Sequence, residues 1–265
     1  MIRLLLCVYL SIAGSQSFAF EQDVQRFALV IGNKNYETAP LKNSANDANA
    51  IADSLTDIGF RVSLLTDSNL SDLTTQVQQF YAQVKTDEHA NKLALIYYAG
   101  HAIQVNHHNY IVPLGMQFES YPEFISGLYK IDRLFIEINK SKNLQNIIIL
   151  DACRNNPFEN NAVADGGKMS SGLAPIKAPS NTMIAFATEP GGVAADGKRK
   201  NGLYTKHLLR HIAKQISVEE VFKKVRKGVA KETRNKQIPW EHSSLLNDAF
   251  FSPPKNRDIP DLLVF

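Results

Sequence analysis

The sequence predicts an α/β fold with a parallel, doubly wound sheet, and three observations carry that expectation. Apolar runs of strand length recur along the chain, and stretches with helical spacing separate them. Several of the runs are apolar throughout rather than alternating, as strands covered by helices on both faces are. In chain order the strands are expected at 27–31, 60–65, 93–98, 147–150 and 183–186. Between them, 45–55, 70–84 and 128–138 place apolar residues three and four apart, the pattern of a helix with one buried stripe. Segment 105–110 reads as a hairpin turn that carries His107 and His108, which fit solvated turn positions better than metal ligands. Segment 159–180 concentrates Asn, Gly, Ser and Pro and reads as a long mobile loop. Two closing helices are expected at 202–213 and 218–231. The second opens on Ser217-Val218-Glu219-Glu220, a capping box in which Ser217 and Glu220 satisfy each other's backbone donors.

The N-terminus has a different organisation. One charge at Arg3 precedes a short apolar run, and Ser17-Phe18-Ala19 follows it, which is the layout of a signal peptide cleaved after Ala19. A run of about ten residues falls short of the roughly 20 that span a bilayer; an uncleaved anchor is the alternative. The expected organisation is a signal peptide at 1–19, one domain at 24–251 and a tail at 252–265, with export to the periplasm or the medium and no membrane span after cleavage. The net charge is +3, and basic and acidic residues are interspersed, so no footprint for nucleic acid is present. The two cysteines are Cys7 and Cys153, and cleavage would leave Cys153 alone. An unpaired thiol in an oxidising compartment points to burial or to use.

In a doubly wound sheet, ligands gather at the carboxyl ends of the strands. The run 93–98 is followed by Ala99-Gly100-His101-Ala102, and the run 147–150 by Asp151-Ala152-Cys153-Arg154. If these strands are adjacent, His101 and Cys153 meet at one edge of the sheet. A thiol needs a base or a cationic neighbour to ionise near neutral pH, and an imidazole serves as both. It can then protonate a leaving amine. Taken singly, a lone cysteine or histidine more often belongs to the core. No phosphate loop, dinucleotide fingerprint, serine-nucleophile elbow or zinc-protease motif is present.

Tyr97-Tyr98-Ala99-Gly100-His101, followed by Asp151-Ala152-Cys153-Arg154 about fifty residues on, resembles the caspase-like cysteine peptidases, and more closely their metacaspase and paracaspase branch. Further matches are Ala28-Leu29-Val30-Ile31-Gly32-Asn33 with Tyr36, Asn46-Asp47-Ala48, Ala185-Phe186-Ala187-Thr188, and Asn201-Gly202-Leu203-Tyr204-Thr205. The resemblance implies a caspase-like three-layer α/β sandwich, with a mostly parallel six-stranded sheet between helices. It also implies an endopeptidase in which His101 and Cys153 form a catalytic dyad and the reaction passes through a thioester.

In caspases the position two before the cysteine is usually glutamine, whereas here it is Asp151. In the branch this chain resembles, that aspartate and the one matched by Asp47 line the primary specificity pocket. Two carboxylates suit a guanidinium and repel an acid, so cleavage after Arg or Lys is expected. A helix-start role for Asp47 and a turn role for Asp151 are the alternatives. The oxyanion hole is expected from the backbone N–H groups of Cys153 and Ala102. Relatives usually have glycine where this chain has Ala102, which leaves open a weakly active or inactive binding module, should the backbone there need a positive φ. No cofactor is expected, and calcium dependence is not indicated, since no EF-hand spacing is present. The expected partner is a peptide or protein substrate. Lys168 and Lys177 in the long loop are candidates for self-processing, and Trp240 for a cleft wall or a core position.

Overall fold

The structure, a computed structural model, describes residues 24–141, 144–153, 158, 169–170, 172–190, 192 and 200–254. The expected signal peptide, Arg154, Lys168 and the last eleven residues of the expected tail lie outside them. The five longest apolar runs form strands. They are β1 (Val24–Gly32), β2 (Arg61–Thr66), β3 (Asn91–Val105), β6 (Leu144–Cys153) and β8 (Thr182–Phe186), with the short β4 (His108–Ile111), β5 (Tyr129–Lys130) and β7 (Met169–Ser170) between them and β9 (Trp240–Ser243) at the end. The central sheet runs β2-β1-β3-β6-β8-β9; every pair is parallel except β8 with β9.

Helices cover both faces. On one, α1 (Ser44–Asp57), α5 (Leu203–Leu209) and α6 (Val218–Thr233) pack Ile51, Leu55, Leu208 and Val225 against Val30, Leu95 and Ile149. On the other, α2 (Leu70–Thr86) and α4 (Asp132–Asn139) pack Leu73, Val77 and Ile138 against Leu29, Ile96 and Ile148. Successive residues of β6 thus enter opposite cores, which is why Ile147, Ile148 and Ile149 are all fully buried and the run has no polar gap. The three-layer sandwich expected from the sequence is the fold observed.

Strand order reverses beside β1, whose neighbours are β2 on one side and β3 on the other. The loop after β1 and the carboxyl ends of β3 and β6 therefore share one crevice. At this point Gly32 touches α1, and a Cβ there would stand 2.5 Å from the Cβ of Ala48.

Several boundaries differ from the expectation. β3 does not stop at Tyr98 but continues to Val105, leaving the parallel sheet to form a hairpin with β4. Asn106 and His107 take the two left-handed turn positions (φ 48° and 65°). The expected helix at 128–138 begins as β5, which pairs Tyr129 and Lys130 with β4, and turns helical only at Asp132. The apolar residues at its start serve the hairpin rather than a helical stripe. α3 (Tyr121–Gly127) was not anticipated, although Ser120 caps it by accepting from the Glu123 N–H, with Pro122 in the first turn.

The described part of the expected mobile loop is pinned. The Asn109 carboxamide accepts from the Ala174 N–H (2.7 Å) and donates to its carbonyl (2.8 Å), and Leu173, Ala174 and Ala178 are buried. Of the capping box on α6, Ser217 accepts from the Glu220 N–H, while the Glu220 carboxylate turns to Lys224 at 3.0 Å.

Candidate active site

His101 lies within β3, where that strand leaves the sheet, so the residues expected on loops stand on strands. In the β3–β6 ladder His101 is the register partner of Cys153 and Ala99 of Asp151, which sets the backbones of His101 and Cys153 one strand spacing apart, about 4.8 Å. The imidazole is 1 % exposed. Its Nε2 lies 2.7 Å from the Ala39 carbonyl oxygen. A carbonyl only accepts, so Nε2 carries the proton and Nδ1 holds the lone pair of the neutral ring. Ala39 is in the loop after β1 and has a left-handed backbone (φ 57°), a conformation that costs a non-glycine residue energy and is concentrated at functional sites.

Two tyrosines fix the His101 backbone. The Tyr36 hydroxyl accepts from the His101 N–H (3.0 Å) and donates to the Val112 carbonyl (3.1 Å); the Tyr98 hydroxyl donates to the His101 carbonyl (2.7 Å). The hydroxyls are 3.2 Å apart, and the Tyr36 ring is tilted against the imidazole with centroids 4.5 Å apart. Burial pushes the Tyr36 phenol up to about 12, so it remains protonated. Gly100 is required by the same pair, since a Cβ there would stand 2.3 Å from the Tyr98 oxygen.

Ala102 lies in β3, next to His101. Its backbone is not among those with positive φ, so its Cβ strains nothing, and the physical argument against it lapses. The Val112 N–H donates to the His101 carbonyl, which makes 101 and 112 a bonded pair and 102 and 111 a non-bonded one. The Ala102 N–H therefore points away from β4, toward the edge where β6 ends.

The two aspartates each bond to the segment around the start of α5. Asp47, in the first turn of α1 and 3 % exposed, accepts from the Asn201 side chain (2.9 Å) and from the Gly202 N–H (3.0 Å), so it ties α1 to the start of α5. Asp151 is half-buried and accepts from the Thr205 hydroxyl (2.5 Å) and the Tyr97 hydroxyl (3.2 Å). Burial, then the charges of Asp151 and Asp47, hold the Tyr97 phenol well above its ordinary range, which places that one hydroxyl in the field of both carboxylates. Asp47 thus stands at the helix start given as its alternative, whereas Asp151 stands within β6 and not in a turn.

Tyr36, Ala39, Tyr97, Tyr98, Asn201 and Thr205 were given no role by the sequence reading, although all but Ala39 lie in stretches quoted for the resemblance. Two other candidates are exposed. His108 pairs with Asp132 at 3.3 Å in an exposed position, and Trp240 is half exposed on the edge strand rather than in the core. Among the described residues, no three His, Cys, Asp or Glu side chains group to hold a metal.

Comparison with known proteins places this geometry. Residues 25–251 match the family model of the caspase domain. Among solved structures, caspase-1 from Spodoptera frugiperda is similar with a TM-score of 0.60 at 14 % identity, covering 89 % of this chain and 93 % of that one. The Drosophila initiator caspase Dronc is similar with a TM-score of 0.61 at 10 % identity, covering 86 % of this chain and 83 % of its own. At such identities the likeness is one of fold. No curated protein sequence matches the chain.

Proposed function

The chain belongs to the caspase-domain family of cysteine peptidases, and on that premise we propose that it is an endopeptidase that cuts after arginine or lysine. The observation that carries the reading is the register of β3 on β6, which sets His101 opposite Cys153 with Asp151 two residues back along the same strand. In the proposed reaction the Cys153 thiol passes its proton to His101 Nδ1, the nitrogen left basic by the Ala39 carbonyl. The thiolate attacks the scissile carbonyl, and the N–H groups of Cys153 and Ala102 receive the oxyanion. The imidazolium then protonates the leaving amine, and water hydrolyses the thioester with His101 again as base.

The acidic pair is the support for basic specificity. Asp151 bonds the Tyr97 hydroxyl, Asp47 acts on the same hydroxyl through its charge, and two carboxylates near one another favour a guanidinium that can bond bidentately. An aspartate side chain entering the same space would meet like charge without compensation. On this reading the chain belongs with the metacaspase and paracaspase branch that its sequence resembles.

Export of the mature chain after cleavage at Ala19 is part of the proposal, supported by the layout of residues 1–19. Among the described residues, no helix is long and apolar enough to cross a membrane.

The test is covalent labelling with peptidyl chloromethyl ketones ending in Arg or in Asp. The reading predicts that the Arg reagent alkylates Cys153 and outpaces the Asp reagent. Equal labelling by both would remove the specificity, and no adduct on Cys153 would remove the nucleophile.

A further inference from the structure

A cleft lies beside His101, between the loop after β1 and the segment that follows β4, and includes none of the elements that carry Asp47 and Asp151. It is a shallow cleft with a cavity volume of about 60 Å³, and its floor is Val112, Pro113, Met116, Phe158 and the ring of Tyr36, with Glu37 at the rim. Two of these residues are in contact with the imidazole residue itself. The Tyr36 ring is 4.5 Å from that of His101, and the Val112 N–H donates to the His101 carbonyl at 3.0 Å. Glu37 is exposed where the cleft opens.

The direction of a bound chain follows from these placements and rests on the proposed peptidase reading. With the residue before the scissile bond in the acidic pocket, the reacting carbon lies at the end of β6 and the chain passes His101 toward the β4 side. One extended residue advances about 3.4 Å, so the next side chain is the one delivered over Tyr36.

We infer that this cleft receives the side chain that follows the scissile bond and selects a long basic one, lysine or arginine, so that the preferred cleavage site is a pair of basic residues. The apolar floor suits the methylene stem of such a side chain, and Glu37 meets its charged end at the water-facing rim. A short side chain leaves the floor uncovered. An acidic one meets Glu37 as a like charge.

The experiment uses internally quenched peptides with Arg before the bond and Lys, Leu, Ala or Asp after it, cut by the mature wild type, Glu37→Gln, Glu37→Arg and Met116→Ala. In wild type, kcat/KM for the Lys peptide is expected to exceed that for Ala about two- to five-fold, the size of one exposed charge pair with added contact. Glu37→Gln erases the charge part of that advantage, Glu37→Arg moves the preference toward Asp, and Met116→Ala narrows the gap between Leu and Ala. The same ranking in wild type and in Glu37→Arg, or a preference for Ala in wild type, overturns the inference while leaving the peptidase intact. Failure to cut any of the peptides removes the peptidase reading and this inference with it.

Discussion

Deleting one oxygen from Tyr36 and one from Tyr204 is predicted to move stability in opposite directions. In Tyr36→Phe the buried His101 N–H loses its 3.0 Å acceptor and the Val112 carbonyl loses a donor. An orphaned buried amide costs about 1–3 kcal/mol and a further lost hydrogen bond about 1, so the loss is about 2–4 kcal/mol. For a domain of this size that is a fall in Tm of roughly 5–15 °C. The change is also local to the imidazole, and a displacement approaching 1 Å at such a group lowers kcat by up to about a hundred-fold. Tyr204 is buried as well, but its hydroxyl has no hydrogen-bond partner among the described residues. Tyr204→Phe removes an unsatisfied oxygen and is expected to be neutral or stabilising by about 1 kcal/mol. Thermal and urea unfolding of both variants, with kcat on an Arg peptide, reads the contrast. If Tyr36→Phe unfolds with wild type and keeps its kcat, or Tyr204→Phe falls as far, the hydrogen-bond account of the His101 seat is wrong.

Three other outcomes are expected. Asp151→Asn keeps an acceptor for Thr205 and loses the charge, so kcat/KM on Arg peptides should fall roughly 10- to 100-fold with little change in Tm; an unchanged value would place the specificity elsewhere. Burial lowers the pKa of His207, outweighing its bond to Glu232, and burial lowers that of His211 as well. The unfolded chain therefore binds more protons than the folded one as pH falls below about 6.5, so stability should decline there, and His207→Gln should flatten the slope in urea titrations between about pH 5 and 7. Ser217→Ala removes the cap of α6 and should cost about 1 kcal/mol in the same titrations.

What could be read from the sequence was set by burial on two faces. β1, β6 and β8 sit between two layers of helices, so their runs have no polar interruption and announced themselves. The continuation of β3 did not. Gly100 and His101 look like a strand's end, yet the glycine is there because Tyr98 and Tyr36 fill the space of its Cβ. The segment at 128–138 carried apolar residues at helical spacing, but Tyr129 is used by a two-residue strand, and short-range periodicity cannot separate the two. α3 was legible in principle, since Ser120-Tyr121-Pro122-Glu123 is a helix-start signature. The pinning of 172–180 was not, because it depends on the Asn109 carboxamide, 65 residues away, standing in for a strand.

At the site, His101, Cys153, Asp47 and Asp151 were the residues the pattern could name, since each is a reactive or charged type at a strand end or helix start. The groups that seat them were hidden. Ala39 contributes only a carbonyl, and no side chain advertises that. Tyr97 and Thr205 bond Asp151 from a strand and a helix more than 100 residues apart, a contact that exists only once α5 packs on the sheet.

The most direct test of the central claim is hydrolysis of fluorogenic peptides ending in Arg, Lys or Asp by the mature protein and by Cys153→Ala. The account predicts turnover of the Arg and Lys peptides, little or none of the Asp peptide, and loss of all turnover in the variant. Turnover that survives in Cys153→Ala, or a preference for the Asp peptide, would contradict it.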